Sequence, residues 1–274
     1  LLAKSSKKGG GDAITIGLAQ QPIPGLVWQL AYTRTNATEV SPLTSSVSNS
    51  NWAARSIFNP NEEVAAKSAY LVRDRVNGTM SWSKAYFGTY KTSFGVTYEG
   101  RRGKPYSWTY YNDLNGDGQS GNDLMYIPSA PGSGEVTFNG GATEEAKFWE
   151  IVNANPVLSA AKGGVVSRNS ATAPWTNSLD VRMSQELPGF VSGHKARVKF
   201  DILNFGNLLN KKWGRIDEVS FQSAGGSARS FVNYKGLDAN GKYVYSLGNV
   251  EDFTTRQAKG ESQWALQVSL EYEF

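Results

Sequence analysis

The chain has 274 residues, of which 39% are hydrophobic and 12% aromatic, and its 28 basic and 24 acidic residues give a formal net charge of +4. The absence of cysteine excludes disulfide scaffolds, thiol catalysis and cysteine-ligated metals, and the small charge imbalance argues against a nucleic-acid partner. No apolar run approaches the ~18 residues of a membrane-spanning helix. This composition is compatible with a membrane β-barrel, because each lipid-facing residue of a barrel strand alternates with a polar one.

Two strands joined by a short turn are predicted at the start of the chain, after a polar, glycine-rich entry at 4–12. Apolar residues alternate with small or polar residues over 14–19 and again over 26–33, which is the period-2 pattern of a strand with two different faces. The intervening Q-Q-P-I-P-G at 20–25 predicts the turn of a hairpin. The polar stretch 36–67 is long for a compact soluble domain but ordinary for an extracellular loop of an outer-membrane barrel.

Two further strands are predicted at 70–82 and 86–99, with Ser83-Lys84-Ala85 as the turn between them. The charged residues at 73–75 interrupt the alternation, so we assign them to the lumen side or to a position above the membrane. The second of these strands has aromatic residues at both ends, as two interfacial belts would require.

The longest irregular stretch, 100–172, is predicted to be a long extracellular loop that holds a short helix around 144–152. Strands at 178–187 and 197–202 follow it, joined by a turn that begins at Pro188-Gly189. Charged residues of both signs alternate with the apolar residues of these strands and are expected to face a hydrated lumen. They are Asp180, Arg182, Arg197, Lys199 and Asp201.

The terminal stretch 262–274 has a regular alternation, and a hairpin around 238–241, D-A-N-G, precedes it. The apolar set of this stretch is Trp264, Leu266, Val268, Leu270, Tyr272 and Phe274. A membrane-spanning strand needs ~9–11 residues, apolar outward and polar toward the lumen, with aromatic residues at the interfaces. The stretch meets each condition. An amphipathic strand of a soluble β-sandwich stays open as the alternative.

Short turns alternate with long polar loops along the chain, and this asymmetry is typical of outer-membrane barrels. With about eight to ten predicted strands, the chain is predicted to have an all-β fold, a transmembrane antiparallel up-and-down β-barrel. Residues 1–274 are interpreted as a barrel portion with neither a plug nor a signal peptide. The expected location is the bacterial outer membrane, with its lipid as a partner.

Five motifs occur in an order that resembles one protein family. They are G-K-P-Y-S (103–107), N-G-D-G-x-x-G-N-D-L-x-Y-I-P (115–128), N-S-L-D-V-R-M-S-Q-E-L-P (177–188), D-I-L-N-F-G-N-L-L-N (201–210) and S-Q-W-A-L-Q-V-S-L-E-Y-E-F (262–274). With this set, the chain resembles the C-terminal barrel portion of a TonB-dependent outer-membrane transporter, most nearly of the Oar-like branch.

The resemblance implies a barrel of about 22 strands that is filled by an N-terminal plug and preceded by a segment that binds TonB. A chain of 274 residues cannot supply all of these, so it is interpreted as the last part of such a barrel, with TonB engaged through a missing N-terminal region. The implied function is the import or binding of an extracellular ligand. The terminal apolar set, from Trp264 to Phe274, resembles the signal read by the barrel-assembly machinery. The alternative is a complete small outer-membrane barrel with a structural or adhesive role and calcium-stiffened loops.

A candidate Ca²⁺ loop lies within the long stretch. Its candidate ligands are Asp113, Asn115, Asp117, Asn122 and Asp123. The first three match positions 1, 3 and 5 of the D-x-[DN]-x-[DN]-G pattern, and Gly118 supplies the turn at position 6. Position 12 is a leucine, so Asn122 or Asp123 would replace the usual glutamate. Three acidic groups this close repel one another without a cation, and the alternative is an Asp/Asn/Gly-rich turn with no metal.

The sequence shows no catalytic constellation, and the chain is predicted not to be an enzyme. His194 is the only histidine, and it lies in a predicted turn without a partner histidine or carboxylate pair. No G-x-S-x-G, Walker-type loop or dinucleotide-binding fingerprint occurs. Six aromatic residues of the loops are candidates either for ligand contact or, as we favour, for loop packing and the interfacial belt. They are Trp52, Tyr106, Trp108, Tyr110, Tyr111 and Trp149.

Overall fold

The computed structural model describes residues 6–219, 221–222 and 226–274, so the first part of the predicted glycine-rich entry lies outside the described residues. Within them, the helices are α1 (Ser48–Ala53), α2 (Gly141–Ala154), α3 (Pro156–Ser159) and α4 (Phe205–Leu209). The strands are β1 (Gly10–Ile23), β2 (Leu26–Glu39), β3 (Ala66–Lys67), β4 (Asp74–Phe87), β5 (Tyr90–Arg101), β6 (Pro105–Tyr110), β7 (Tyr126–Ile127), β8 (Val136–Phe138), β9 (Gly164–Val165), β10 (Ala171–Thr172), β11 (Thr176–Pro188), β12 (Lys195–Leu203), β13 (Asp217–Glu218), β14 (Phe221–Gln222), β15 (Gly226–Leu237), β16 (Tyr243–Leu247), β17 (Thr254–Thr255) and β18 (Ala265–Glu273). The chain is therefore an all-β protein, as predicted.

The largest sheet follows chain order in the sequence β1-β2-β4-β5-β11-β12-β18, and each neighbouring pair is antiparallel. We call these seven strands the meander sheet; the short β3 adds to it by pairing with the end of β2. The up-and-down antiparallel arrangement is thus confirmed for this part of the chain. Among the described residues β1 and β18 lie at opposite edges and do not pair, so the sheet is open.

The first predicted hairpin is confirmed, and its strands are longer than expected. Strand β1 includes part of the predicted entry and most of the predicted turn, which leaves only Pro24 and Gly25 between the strands. Gly25 has a φ of +85°, and a Cβ there would lie 2.2 Å from the backbone oxygen of Ser83. Only glycine fits this tight approach of the turn to β4.

The turn predicted at 83–85 is wrong, because β4 continues through these residues to Phe87. Ser83 pairs with Ser93 on β5, and their hydroxyl oxygens lie 3.0 Å apart. The chain reverses instead at Gly88, whose φ of +62° is open mainly to glycine. The polar Ser-Lys-Ala triplet resembles a turn in composition, but cross-strand pairing holds it in the sheet.

One face of the meander sheet is apolar across its whole width. Directly opposed residues of paired strands share a face, and one such row runs Trp28, Met80, Val96, Val181, Ile202 and Leu266. We define the apolar face by its most exposed members. They are Ile14, Ile16, Leu18, Leu30, Tyr32, Met80, Phe94, Met183, Leu187, Phe200, Leu266, Val268 and Leu270.

The opposite face of the meander sheet is polar and carries ion pairs. All five charged residues predicted to share a face do so, since they occupy alternate positions of β11 and β12 in register. Arg182 pairs with Asp201, and Arg197 lies 2.9 Å from Glu186. Asp180 accepts a hydrogen bond of 2.8 Å from the backbone N–H of Asn204. The prediction of one apolar and one charged side for these strands is confirmed.

A second sheet, in the order β10-β6-β15-β16-β8, belongs to a separate packing unit. Strand β15 is parallel to β6, and β16 is parallel to β8. The hairpin predicted around 238–241 is therefore formed by β15 and β16, but it lies in this sheet and not in the up-and-down one. The stretch 100–172 likewise contains several strands and the helices α2 and α3, so its description as irregular was wrong. The helix predicted near 144–152 is confirmed as α2.

The buried core of the protein lies in this second unit. Its centre consists of large aromatic and aliphatic side chains that we call the aromatic cluster: Tyr106, Trp108, Tyr110, Met125, Ile127, Phe148, Trp149, Leu158, Phe231 and Tyr245. Helix α2 contributes Phe148 and Trp149, and the Phe148 ring packs on Phe138 of β8 and Tyr245 of β16. No member of this core comes from the seven strands of the meander sheet.

Candidate functional site

The predicted calcium loop forms a tight turn around the Asp113 carboxylate. Its Oδ1 accepts the backbone N–H of Gly116 at 2.7 Å, and its Oδ2 accepts that of Gly118 at 2.8 Å. Asn115 Oδ1 and Asp117 Oδ1 each accept the N–H two residues further on, at 2.9 and 2.8 Å. These three side chains therefore accept the backbone N–H groups of their own turn.

Asn122 and Asp123 close the loop from its other end. Asn122 Nδ2 donates to Asp117 Oδ2 at 3.2 Å. Asp123 Oδ2 accepts the backbone N–H groups of Leu114 and Asn115 at 2.5 and 3.3 Å. The structure thus brings all five predicted residues into one cluster, which we call the acidic loop.

Backbone hydrogen bonds anchor the acidic loop to two other segments. The N–H of Ile57 donates to the backbone oxygen of Asn122 at 2.8 Å, and the N–H of Tyr110 donates to that of Asp123 at 2.9 Å. Asn122 and Asp123 are 1% and 0% exposed. The end of the acidic loop is therefore the place where the 54–58 segment and strand β6 meet.

The electrostatics of the acidic loop are unfavourable at Asp123. Burial raises the pKa of its carboxyl to about 6; hydrogen bonds from Leu114 and Asn115 oppose the rise, and the nearby Asp117 and Asp113 add to it. The Oδ1 atoms of Asn122 and Asp123 are buried without a hydrogen-bond partner. Across the described residues, no three His, Cys, Asp or Glu side chains are grouped as a metal centre, so any ion here would also need amide or backbone oxygens.

The predicted terminal signal lies on an edge strand with its apolar side exposed. Strand β18 pairs only with β12 among the described residues. The apolar residues from Trp264 to Phe274 are 37–95% exposed and occupy alternate positions of the strand and its ends. Leu266, Val268, Leu270 and Tyr272 thus lie on the side of the apolar face, and Trp264 and Phe274 flank the strand.

His194 contributes to an aromatic contact that the sequence did not predict. Its Nδ1 lies 3.1 Å from the hydroxyl of Tyr272, whose ring stacks on Phe190 with centroids 5.7 Å apart. Phe190 and His194 lie in the turn between β11 and β12, so the contact joins that turn to the terminal strand. The available signal was the apolar pair Phe190-Val191 in an exposed turn.

The loop aromatics divide according to their position in the fold. Tyr106, Trp108, Tyr110 and Trp149 are buried in the aromatic cluster, where the Tyr110 hydroxyl hydrogen-bonds that of Tyr245 at 2.6 Å. Packing, rather than ligand contact, is therefore their role, while Trp52 and Tyr111 are half-buried.

A cavity of about 330 Å³ adjoins the acidic loop and was not predicted. Ile57 and Leu124 line it, together with the buried Arg168. Arg168 donates to the backbone oxygen of Glu39 at 2.6 Å, and burial lowers its pKa to about 10. The sequence signal was an arginine two residues after the apolar pair Val165-Val166.

No helix in the described part of the chain is long and apolar enough to span a bilayer. Comparisons with protein-family models, with curated proteins and with solved structures found no match to this chain. The resemblance to TonB-dependent transporters therefore depends on the five motifs quoted above. The fold itself defines the class: an all-β protein with a wide antiparallel meander and a separate aromatic core.

Proposed function

We propose that this chain forms part of the wall of an outer-membrane β-barrel. The observation that carries the proposal is the apolar face, on which residues such as Ile16, Val268 and Leu270 are 59–75% exposed. Monomeric soluble proteins seldom expose contiguous apolar surface of more than a few hundred Å². A lipid bilayer is the environment that would cover an apolar face of this width.

The position of the aromatic cluster favours lipid over a soluble sandwich. In a β-sandwich, the apolar faces of two sheets pack on each other about 10 Å apart. Here the buried core includes no residue of the meander sheet, so the second sheet does not cover the apolar face. The ion pairs of the opposite face, such as Arg182–Asp201, suit a hydrated lumen.

The strand lengths and edges favour a portion of a larger barrel. The seven strands have 9–14 residues, enough for the ~9–11 residues of a tilted span. Unpaired backbone groups at a sheet edge are not tolerated in hydrocarbon. Strands β1 and β18 would therefore pair with further strands, which favours this proposal over a complete small barrel.

Within this proposal, the function is that of a TonB-dependent transporter that binds or imports an extracellular ligand. The ordered motifs support it. The TonB system would act through an N-terminal region, and the barrel-assembly machinery would recognise the terminal strand from Trp264 to Phe274. The loops outside the membrane, including the acidic loop, would face the ligand side.

Cysteine scanning tests the membrane placement sharply, because the natural chain has no cysteine. Neighbouring residues on opposite faces are replaced one at a time by cysteine and labelled in isolated cell envelopes. The pairs are Thr15 with Ile16, Thr79 with Met80, and Ser269 with Val268. A polarity-sensitive label should report lipid at the second member of each pair and water at the first. Equal water exposure of both members, or a monodisperse chain without detergent, would refute the proposal.

A further inference from the structure

The acidic loop has more oxygen donors than its own hydrogen bonds use. Asp113, Asp117 and Asp123 bring a formal charge of −3 into one turn, and no ion pair found among the described residues involves them. Ca²⁺ takes 6–8 oxygen ligands from carboxylates, side-chain amides, backbone carbonyls and water. The acidic loop offers carboxylates and side-chain amides that lie close together in the sequence.

Two buried oxygens in the acidic loop have no partner. Asn122 and Asp123 are almost completely buried, and the Oδ1 atom of each lacks a hydrogen bond. A buried acceptor left unpaired is unfavourable, and a buried charge more so. These two buried atoms lie at the covered end of the acidic loop and are acceptors that its turn hydrogen bonds leave unused, and a bound cation would satisfy them.

The geometry at Asn122 identifies where the ligand would enter. Its Nδ2 lies 3.2 Å from Asp117 Oδ2. A half-turn of the amide would replace this donor by Oδ1, and the two oxygens would then face each other. Such an arrangement is repulsive alone and favourable around a shared cation.

The turn at 238–241 is a second Asp/Asn/Gly turn, and it differs from the acidic loop in its donors and burial. Asp238 Oδ1 accepts the N–H groups of Asn240 and Lys242 at 2.8 and 2.9 Å, much as Asp113 does in its own turn. It is a single carboxylate, and none of its side-chain oxygens is buried without a partner. Turn formation alone therefore explains the hydrogen bonds of Asp238. It does not explain why the Oδ1 atoms of Asn122 and Asp123 are buried without a partner.

We propose that the acidic loop binds Ca²⁺ through Asp113, Asn115, Asp117, Asn122 and Asp123. Because the backbone at 122–123 holds both Ile57 and Tyr110, the bound ion stabilises the junction of the 54–58 segment with the aromatic cluster. This inference does not depend on the membrane role, since the loop lies outside the seven strands of the meander sheet.

Terbium luminescence tests the site directly, with the intact chain in metal-depleted buffer and detergent. Tyr110, whose backbone bonds Asp123, is close enough to sensitise bound Tb³⁺. We expect sensitised emission that CaCl₂ reverses at lower concentration than MgCl₂. Asp117→Asn should weaken Ca²⁺ competition about tenfold or more, because ligand charge sets affinity in such loops, whereas the control Asp238→Asn should leave it unchanged.

Thermal unfolding separates loss of the ion from loss of the turn. Without Ca²⁺, Asp117→Asn should be at least as stable as the parent, because one negative charge is removed and the new amide can still accept from Asn122 Nδ2 or, after a half-turn of the Asn122 amide, donate to its Oδ1. With millimolar Ca²⁺, only the parent and Asp238→Asn should gain stability. A parent without calcium-reversible emission, or an Asp117→Asn variant that binds as the parent does or is equally destabilised with and without Ca²⁺, would overturn the site.

Discussion

The meander sheet and the aromatic cluster use similar residues in opposite ways. Trp264 and Phe274, which flank the terminal strand, are 45% and 95% exposed, whereas Trp108 and Phe231 of the cluster are 1% and 0% exposed. Both regions alternate apolar with polar residues along strands. The difference is that the cluster has a second layer, formed by α2, whereas no described part of the chain forms such a layer on the apolar face of the meander sheet. Period-2 alternation thus shows that a strand has an apolar face but not what covers that face.

Replacement of the same residue type in each region gives the largest expected difference. Trp108→Ala should lower the free energy of unfolding of the aromatic cluster by about 3–5 kcal/mol, because a fully buried aromatic is lost and a cavity remains. Trp264→Ala should change it by less than about 1 kcal/mol, since the ring makes no contact with that core. Denaturant unfolding followed by near-UV circular dichroism measures both. Similar losses would mean that the two regions share one core.

Charge insertion on neighbouring positions of β18 sharpens the comparison further. Val268→Arg places a cation on the apolar face and should lower stability in lipid vesicles by about 2–4 kcal/mol if that position lies near the midplane. Gln267→Arg places the same group opposite Asp201 on the polar face, where little loss is expected. Urea titration of vesicle-folded protein gives both values. Equal effects would contradict a lipid-facing apolar side.

The acidic loop should give a smaller, pH-dependent effect. Burial raises the pKa of Asp123 to about 6 from an ordinary 3.8, so the folded protein binds more protons than the unfolded chain between these values. In metal-free buffer, the free energy of unfolding should therefore fall as pH rises from about 4 to 6, by at most about 3 kcal/mol.

Added CaCl₂ favours the ionised carboxylate and should remove this decline. Melting temperatures measured across the pH range, with and without Ca²⁺, test the expectation, and Asp123→Asn serves as the control that lacks the titrating group. A parent that shows the same pH dependence as Asp123→Asn would exclude a raised Asp123 pKa.

Local sequence was sufficient for the elements of the meander sheet, since strand faces and hairpins follow from neighbouring residues. The alternation at 264–274 and the Pro-Gly turn at 24–25 are such signals. It was insufficient at 83–85, where a polar triplet resembled a turn and the pairing of Ser83 with Ser93 kept it in the strand.

Long-range pairing decided what local sequence left open. The hairpin around 238–241 was predicted, but its place beside β6 depends on contacts between residues more than a hundred positions apart. The motif from Asp113 to Gly118 was readable in the chain, because adjacent side chains and glycines make the turn. The burial of Asn122 and Asp123 was not, because it arises only where the 54–58 segment and β6 close over the loop. Sequence thus determined which groups can bind an ion or face lipid, and tertiary packing decided which are covered.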